Sequence, residues 1–113
     1  MFGFGSAKGE KFETISGPEA AERVSKGALL VDVREVNEFA SGHIDGAINV
    51  PLSSFASDAK RIPPNRDVIL YCAAGVRSER ALGACANLGL PHETHVAGGI
   101  SALARAGMRV RTS

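Results

Sequence analysis

The chain has 113 residues and a formal net charge of +1, with 13 basic against 12 acidic side chains and 44% hydrophobic residues. That is enough for one domain with a single core, and a near-neutral balance without a basic run excludes an electrostatic footprint for nucleic acid or a membrane surface. No apolar stretch reaches transmembrane length and the opening MFGFGSAKGEK lacks the apolar region of a secretory signal, so cytoplasmic residence is expected.

Residues 1–11 are glycine-rich and carry Phe2 and Phe4 without periodicity, which reads as a flexible arm ahead of a domain over residues 12–113. The alternative makes the two aromatics a docking peptide. Phe12 to Ile15 suits a short first strand. Ser16, Pro18 and Glu19 form a helix start with the S-x-x-E spacing of a capping box, Ala20, Ala21 and Val24 supply an apolar face, and Gly27 ends the helix. Ala28 to Val33 is a second buried strand, with Asp32 and Arg34 at its C-terminal end. Val36 to Ala40 reads as a short helix stopped at Gly42, with His43 just beyond. Ala47 to Val50 is a third strand, closed by Pro51. Leu52 to Lys60 is a weak amphipathic helix, followed by a turn-rich stretch, Ile62 to Arg66, around Pro63 and Pro64.

Val68, Ile69, Leu70 and Tyr71 make a continuous apolar run, the pattern of a central strand buried on both faces. Cys72 is the first residue past it. From Ser78 the spacing turns helical through Ala81, Leu82, Cys85 and Leu88, with Gly89 as the stop. Glu93 to Ala97, including His95, is the final strand, Gly98 and Gly99 at its end are expected to let backbone pass close to the loop after Cys72, and Ile100 to Ala106 is the last helix. Five strands with helices between them predict an α/β fold: a small doubly wound, mainly parallel five-stranded sheet with helices on both faces.

The chemistry gathers at Cys72. The short loop of Ala73, Ala74, Gly75, Val76 and Arg77 must curl, Gly75 permits the backbone angles this needs, and its amides then face inward beside the positive end of a helix. A thiol so placed has its pKa lowered from ~8.5 to roughly 3.5–7.5, which makes Cys72 a candidate nucleophile. Arg77 offers a planar fork for a sulfonate, sulfate or phosphate. The plainer reading makes Cys72 an inert core thiol and Arg77 a surface residue. Ligands of open parallel sheets gather beyond the carboxyl ends of the strands, so Arg34 either faces the same pocket or, like Asp32, holds neighbouring loops by ion pairs and backbone hydrogen bonds. His43 invites a Cys and His pair, but hydrogen bonding near Asp32 is the favoured role. His92 and His95 lack a further ligand and read as ordinary surface histidines, so no metal is expected. Cys85 lies on the apolar helix face as a core residue, and a disulfide with Cys72 is not expected.

CAAGVRS resembles the CxxGxRS active-site loop of single-domain rhodanese-like sulfurtransferases. LLVDVREVNEFASGHIDGAINVP resembles the family's upstream block, with Asp32, Arg34, Glu38, Gly42, His43, Ile44, Gly46, Ala47, Asn49 and Pro51 at matching positions, and VAGGISALARAGMRV resembles its closing GGxxxW segment through Gly98 and Gly99. The likeness spans about residues 14–111. Leu103 stands where the family usually has tryptophan and Arg109 where it often has proline.

The resemblance implies thiosulfate sulfurtransferase activity through a Cys72 persulfide. The loop residues Ala73, Ala74, Gly75, Val76 and Ser78 with Arg77 and Arg34 would bind the substrate, and no cofactor is implied. The acceptor is cyanide, a thiol or a thioredoxin-like protein, and a monomer is expected. The alternative from another class is a persulfide-carrier or binding module acting with a partner. Phosphatases and arsenate reductases on related folds carry one more residue between Cys and Arg than the four here, which leaves those activities as a minor alternative.

Overall fold

The computed structural model describes residues 12–112; the expected arm over residues 1–11 lies outside them. The chain runs β1 (Glu13–Ile15), α1 (Gly17–Ser25), β2 (Leu29–Asp32), α2 (Val36–Ser41), β3 (His43–Ile44), β4 (Ile48–Asn49), α3 (Phe55–Asp58), β5 (Val68–Tyr71), α4 (Val76–Asn87), β6 (Thr94–Val96), α5 (Gly99–Arg105) and β7 (Val110–Arg111). The main sheet has the order β1-β6-β5-β2-β4 with every pair parallel, as the α/β reading requires.

β5 is the centre of this sheet, in register with β2 through Val31 and Leu70 and with β6 through Leu70 and His95. Strand alternation divides its side chains between two cores. Val68 and Leu70, continued by Cys72, pack with Val31, Phe55, Ala81, Leu82 and Cys85 on the side of α3 and α4. Ile69 and Tyr71 pack with Ile15, Leu30, Val96 and Leu103 on the side of α1 and α5. With both faces covered, a continuous apolar run is what β5 needs. Leu103, at the family's tryptophan position, is a core side chain in the second cluster.

Local rules account for most element ends. Ser16 Oγ accepts from the Glu19 N–H at 3.2 Å and caps α1, while the Glu19 carboxylate lies 3.9 Å from Arg23. α4 begins at Val76, two residues before the expected start at Ser78, because Gly75 takes a left-handed conformation (φ 109°) and turns the chain straight into the helix. The helix expected over Leu52 to Lys60 is broken into a 3-10 turn (Leu52–Ser54), α3 and a second 3-10 turn (Ala59–Arg61). Its serines explain this: Ser54 Oγ donates to Asp58 Oδ2 at 2.7 Å and Ser57 Oγ to the Ser54 carbonyl at 3.1 Å, competing with the regular ladder.

Glu93 to Ala97 does not hold the final strand. β3 and β7 form a separate antiparallel pair, His43 opposite Arg111 and Ile44 opposite Val110. Each strand is two residues long, too short to show a period. The Tyr71 hydroxyl accepts from the Ile44 N–H at 3.0 Å and ties this pair to the central strand. No helix among the described residues is long and apolar enough to cross a membrane.

On the face opposite α4, α1 and α5 pack so closely that a β-carbon at Gly17 would overlap the Ala102 carbonyl. Gly83, inside α4, has open space where a β-carbon would stand and an ordinary helical conformation. Gly17→Ala is expected to destabilise the protein by about 1–3 kcal/mol, by forcing the helices apart. Gly83→Ala is expected to stabilise it by about 0.5–1 kcal/mol, because alanine loses less backbone freedom in a helix. Urea titrations of the two variants beside the wild type read both signs.

Candidate active site

The carboxyl end of β5 delivers Cys72 into a loop of four residues, 72–75, before α4 begins. Cys72 is 1% exposed and sits at the floor of the site, while Ala73, Ala74 and Val76 form an exposed rim. The Gly75 N–H donates to Cys72 Sγ at 3.0 Å, and Ser78 Oγ lies 3.5 Å from the same sulfur. Burial alone pushes the Cys72 thiol up. The Ser78 hydroxyl and the amides of Ser78, Gly75 and Ala74 outweigh it and hold the thiol below its ordinary value.

The loop is clamped from behind by the first turn of α5. The Ile100 N–H donates to the Cys72 carbonyl at 2.9 Å. Gly99, at φ 59°, lies so near that a β-carbon there would overlap the backbone of both Cys72 and Ala73. The close passage expected of Gly98 and Gly99 is made by Gly99 alone; a β-carbon at Gly98 would meet the Ala102 side chain instead.

Cys85, the other thiol, is fully buried among the apolar side chains of α4 and its neighbours, and burial pushes it up to about 11. Both cysteines are free. One fold thus places two thiols in opposite environments, with amide and hydroxyl donors around one alone.

The arginines are committed elsewhere. The Arg77 guanidinium closes on Glu38 of α2, with Nη1 to Oε1 at 2.7 Å and Nη2 to Oε2 at 3.0 Å. The Arg77 hydrogen bond, followed by the Glu35 N–H that also donates to Oε1, depresses the Glu38 carboxyl to about 2. Arg34, 7% exposed, reaches Asp32 through Nε at 3.0 and 3.1 Å and through Nη2 at 2.7 Å, and Nη2 also donates to the Gly42 carbonyl at 2.6 Å. Asp32 is fully buried and accepts from the Arg34 N–H as well, at 2.8 Å, which is the role expected of it. Of the open alternatives for Arg34, these contacts favour holding the turn at Gly42.

Three histidines differ from expectation. His43 Nδ1–H donates to the Phe39 carbonyl at 2.9 Å, not toward Asp32, and its ring stacks on Phe39 with centroids 3.7 Å apart. His92 and His95 are buried rather than at the surface, His95 because β6 lies between β1 and β5. His92 Nε2–H donates to the Pro63 carbonyl at 2.9 Å. His95 Nδ1 is 2.8 Å from Ser78 Oγ, and its Nε2 is 3.0 Å from Thr14 Oγ1. His95 is therefore a neighbour of the site that sequence reasoning overlooked. Its signal was position: it stands three residues before Gly98, on the strand that leads into the clamp behind Cys72. Among the described residues no cluster of three or more His, Cys, Asp or Glu side chains is arranged to hold a metal ion.

Over most of its length the chain is similar to known proteins. The model of the Rhodanese-like domain family matches residues 16–106. A protein of Allochromatium vinosum named Sulfurtransferase is 37% identical over 82 residues, which cover 73% of this chain and 77% of that one. The probable adenylyltransferase/sulfurtransferase MoeZ of Mycobacterium tuberculosis is 36% identical over 104 residues, 88% of this chain, but the match spans only 26% of the longer protein's length. Among solved structures, a rhodanese-related protein from Thermoplasma volcanium superposes with a TM-score of 0.79 at 29% identity, over 90% of this chain and 100% of that one.

The pair of Arg77 and Glu38 has a measurable consequence. In Arg77→Gln, Glu38 is expected to titrate higher than about 2, moving toward but not reaching the ordinary 4.5 because the Glu35 N–H still donates to it, read by carbon-detected NMR of its carboxyl. The folded value is depressed, so the pair contributes stability above about pH 4.5 and loses it as pH falls toward about 2. The stability gap between wild type and Arg77→Gln is therefore expected to narrow across that window.

Proposed function

Because the chain belongs to the rhodanese-like domain family, we propose that it is a sulfurtransferase in which Cys72 carries sulfane sulfur from a donor such as thiosulfate to a thiophilic acceptor. The carrying observation is the donor set around one sulfur: the Gly75 N–H at 3.0 Å and the Ser78 hydroxyl at 3.5 Å, in a loop with a left-handed glycine. The Cys72 thiolate attacks the outer sulfur of thiosulfate, the S–S bond breaks, and sulfite leaves with the electron pair. The terminal sulfur of the persulfide is then the anion, and inward-facing amides are suited to hold it. An acceptor nucleophile, cyanide in an assay or a thiol on a small molecule or a thioredoxin-like protein, attacks that sulfur and releases the Cys72 thiolate. Two displacements through a covalent intermediate give ping-pong kinetics, without a metal or organic cofactor.

Two features refine the reading. With four residues between Cys72 and Arg77, the loop suits a single sulfur atom better than a phosphoryl group with its equatorial oxygens. Arg77 is held by Glu38, but the pair is about a third exposed, so a donor's sulfonate reaches the guanidinium and shares it with the carboxylate. The protein of Allochromatium vinosum, similar over most of both chains, supports transfer by a free-standing domain. The match to part of a longer adenylyltransferase/sulfurtransferase favours a second reading, a persulfide carrier that hands sulfur to a partner.

Intact-mass spectrometry after incubation with excess thiosulfate tests the proposal. The wild type and Cys85→Ser are expected to gain one sulfur atom, removable by a thiol, and Cys72→Ala to gain none. Gain on Cys72→Ala refutes the assignment. Turnover with cyanide then separates the readings: steady thiocyanate production identifies a transferase, and a single stoichiometric loading without turnover identifies a carrier.

A further inference from the structure

A nucleophilic thiol must lose its proton, and Cys72 is almost sealed from water. The hydrogen bonds behind it continue away from the loop. Cys72 Sγ and Ser78 Oγ are 3.5 Å apart, Ser78 Oγ and His95 Nδ1 2.8 Å, and His95 Nε2 and Thr14 Oγ1 3.0 Å. Ser78 is fully buried and His95 5% exposed, whereas Thr14 is exposed on β1, the edge strand of the sheet. The file runs without a gap from a buried sulfur to solvent.

We propose that Ser78, His95 and Thr14 form a proton relay that carries the Cys72 proton across the sheet to its exposed edge and leaves Ser78 donating to the thiolate. The inference rests on Cys72 being the reactive thiol.

Counting protons gives the file two orientations. With a thiol, S–H donates to Ser78 Oγ, the Ser78 hydroxyl to His95 Nδ1, and His95 Nε2–H to Thr14 Oγ1. With a thiolate, every bond reverses: Thr14 donates to Nε2, Nδ1–H donates to Ser78 Oγ, and the Ser78 hydroxyl donates to the sulfur. Passing from the first to the second moves the sulfur proton to Ser78, the serine proton to Nδ1, the Nε2 proton to Thr14, and the threonine proton to water. One proton enters at Cys72 and one leaves at Thr14, while the imidazole begins and ends neutral. Its tautomer records the state of the thiol.

The surroundings suit a neutral ring. Burial, the first influence on His95, holds it below its ordinary value, and the charge of Glu79 from α4 opposes that. From β1 the ring meets Thr14, from α4 Ser78, and its register partner on β5 is the apolar Leu70. The Gly75 carbonyl, 3.1 Å from Ser78 Oγ, competes for the single serine proton. An Nδ1–H donating to Ser78 polarises the hydroxyl toward the sulfur, so His95 acts on Cys72 through Ser78 as a positioning residue.

Nitrogen-15 NMR of the His95 ring across a pH titration is the test, with the rate of Cys72 alkylation by iodoacetamide measured over the same range. The Nδ1–H tautomer is expected to replace Nε2–H at the pH where alkylation reports Cys72 ionising. Cys72→Ser, which does not ionise there, is expected to keep one tautomer throughout. Thr14→Val, remote from the sulfur, and His95→Leu are expected to slow alkylation at neutral pH by roughly three- to tenfold, the worth of about one hydrogen bond. His95→Asn, whose amide can donate to Ser78 but cannot pass a proton on to Thr14, is expected to recover the rate only in part. Combined with Ser78→Ala, the His95→Leu effect is expected to vanish. A ring tautomer that stays constant while Cys72 ionises in the wild type overturns the relay, even if a variant fails to fold. A relay that tracks Cys72 in a protein that takes no sulfur from any donor supports this inference and overturns the proposed transfer. A persulfide formed beside an indifferent His95 does the opposite.

Discussion

The contact on which the site depends is backbone against backbone, where the first turn of α5 meets the carboxyl end of β5. The Ile100 N–H holds the Cys72 carbonyl at 2.9 Å, and Gly99 comes so near that no β-carbon fits between. That approach pins the start of the loop from outside, while Gly75 turns its far end into α4. With both ends set, the Gly75 amide has little choice but to face the sulfur. The loop is organised by the fold before any substrate arrives, so it need not rearrange around a developing anion.

Charge is distributed so that each arginine near the site has its own carboxylate. Arg34 and Asp32 are both buried, and such a pair is a structural commitment: separating it strands a charge in the interior at a cost of about 3–5 kcal/mol. Arg34 also draws the Gly42 carbonyl, which sets where α2 ends and β3 begins. Arg77 and Glu38 are each about a third exposed, so water screens their pair and a competing anion is able to reach it. Two arginines that look alike as residue types therefore differ in availability, and burial makes the difference.

The two cysteines show the same principle. Cys85 is surrounded by alkyl groups, which oppose its ionisation; Cys72 is as little exposed but meets oriented donors. Low exposure protects both from adventitious chemistry. Only the polar file leading from Cys72 through Ser78 and His95 gives one of them a route for its proton.

Short-range rules in the chain specify much of this. The apolar run Val68 to Tyr71, the cysteine at its end, the glycine that turns the loop and the apolar face of α4 were all legible, because each depends on residues within a turn or two of one another. So was a close approach at the pair Gly98 and Gly99, written in the missing side chains, although the structure places it at Gly99 alone. The broken helix after Leu52 was not, because its serines choose between backbone and side-chain partners by small margins. The β3 and β7 pair was not, because two residues carry no period. Arg77 finds Glu38 39 positions away, Ser78 finds His95 17 away, and His95 finds Thr14 81 away. Sequence by itself determined a parallel α/β sheet ending in a cysteine loop. Tertiary structure alone decided which charges are spent and where the thiol's proton can go, because hydrogen-bond partners are chosen by distance in space and a strand's burial by the neighbours it acquires.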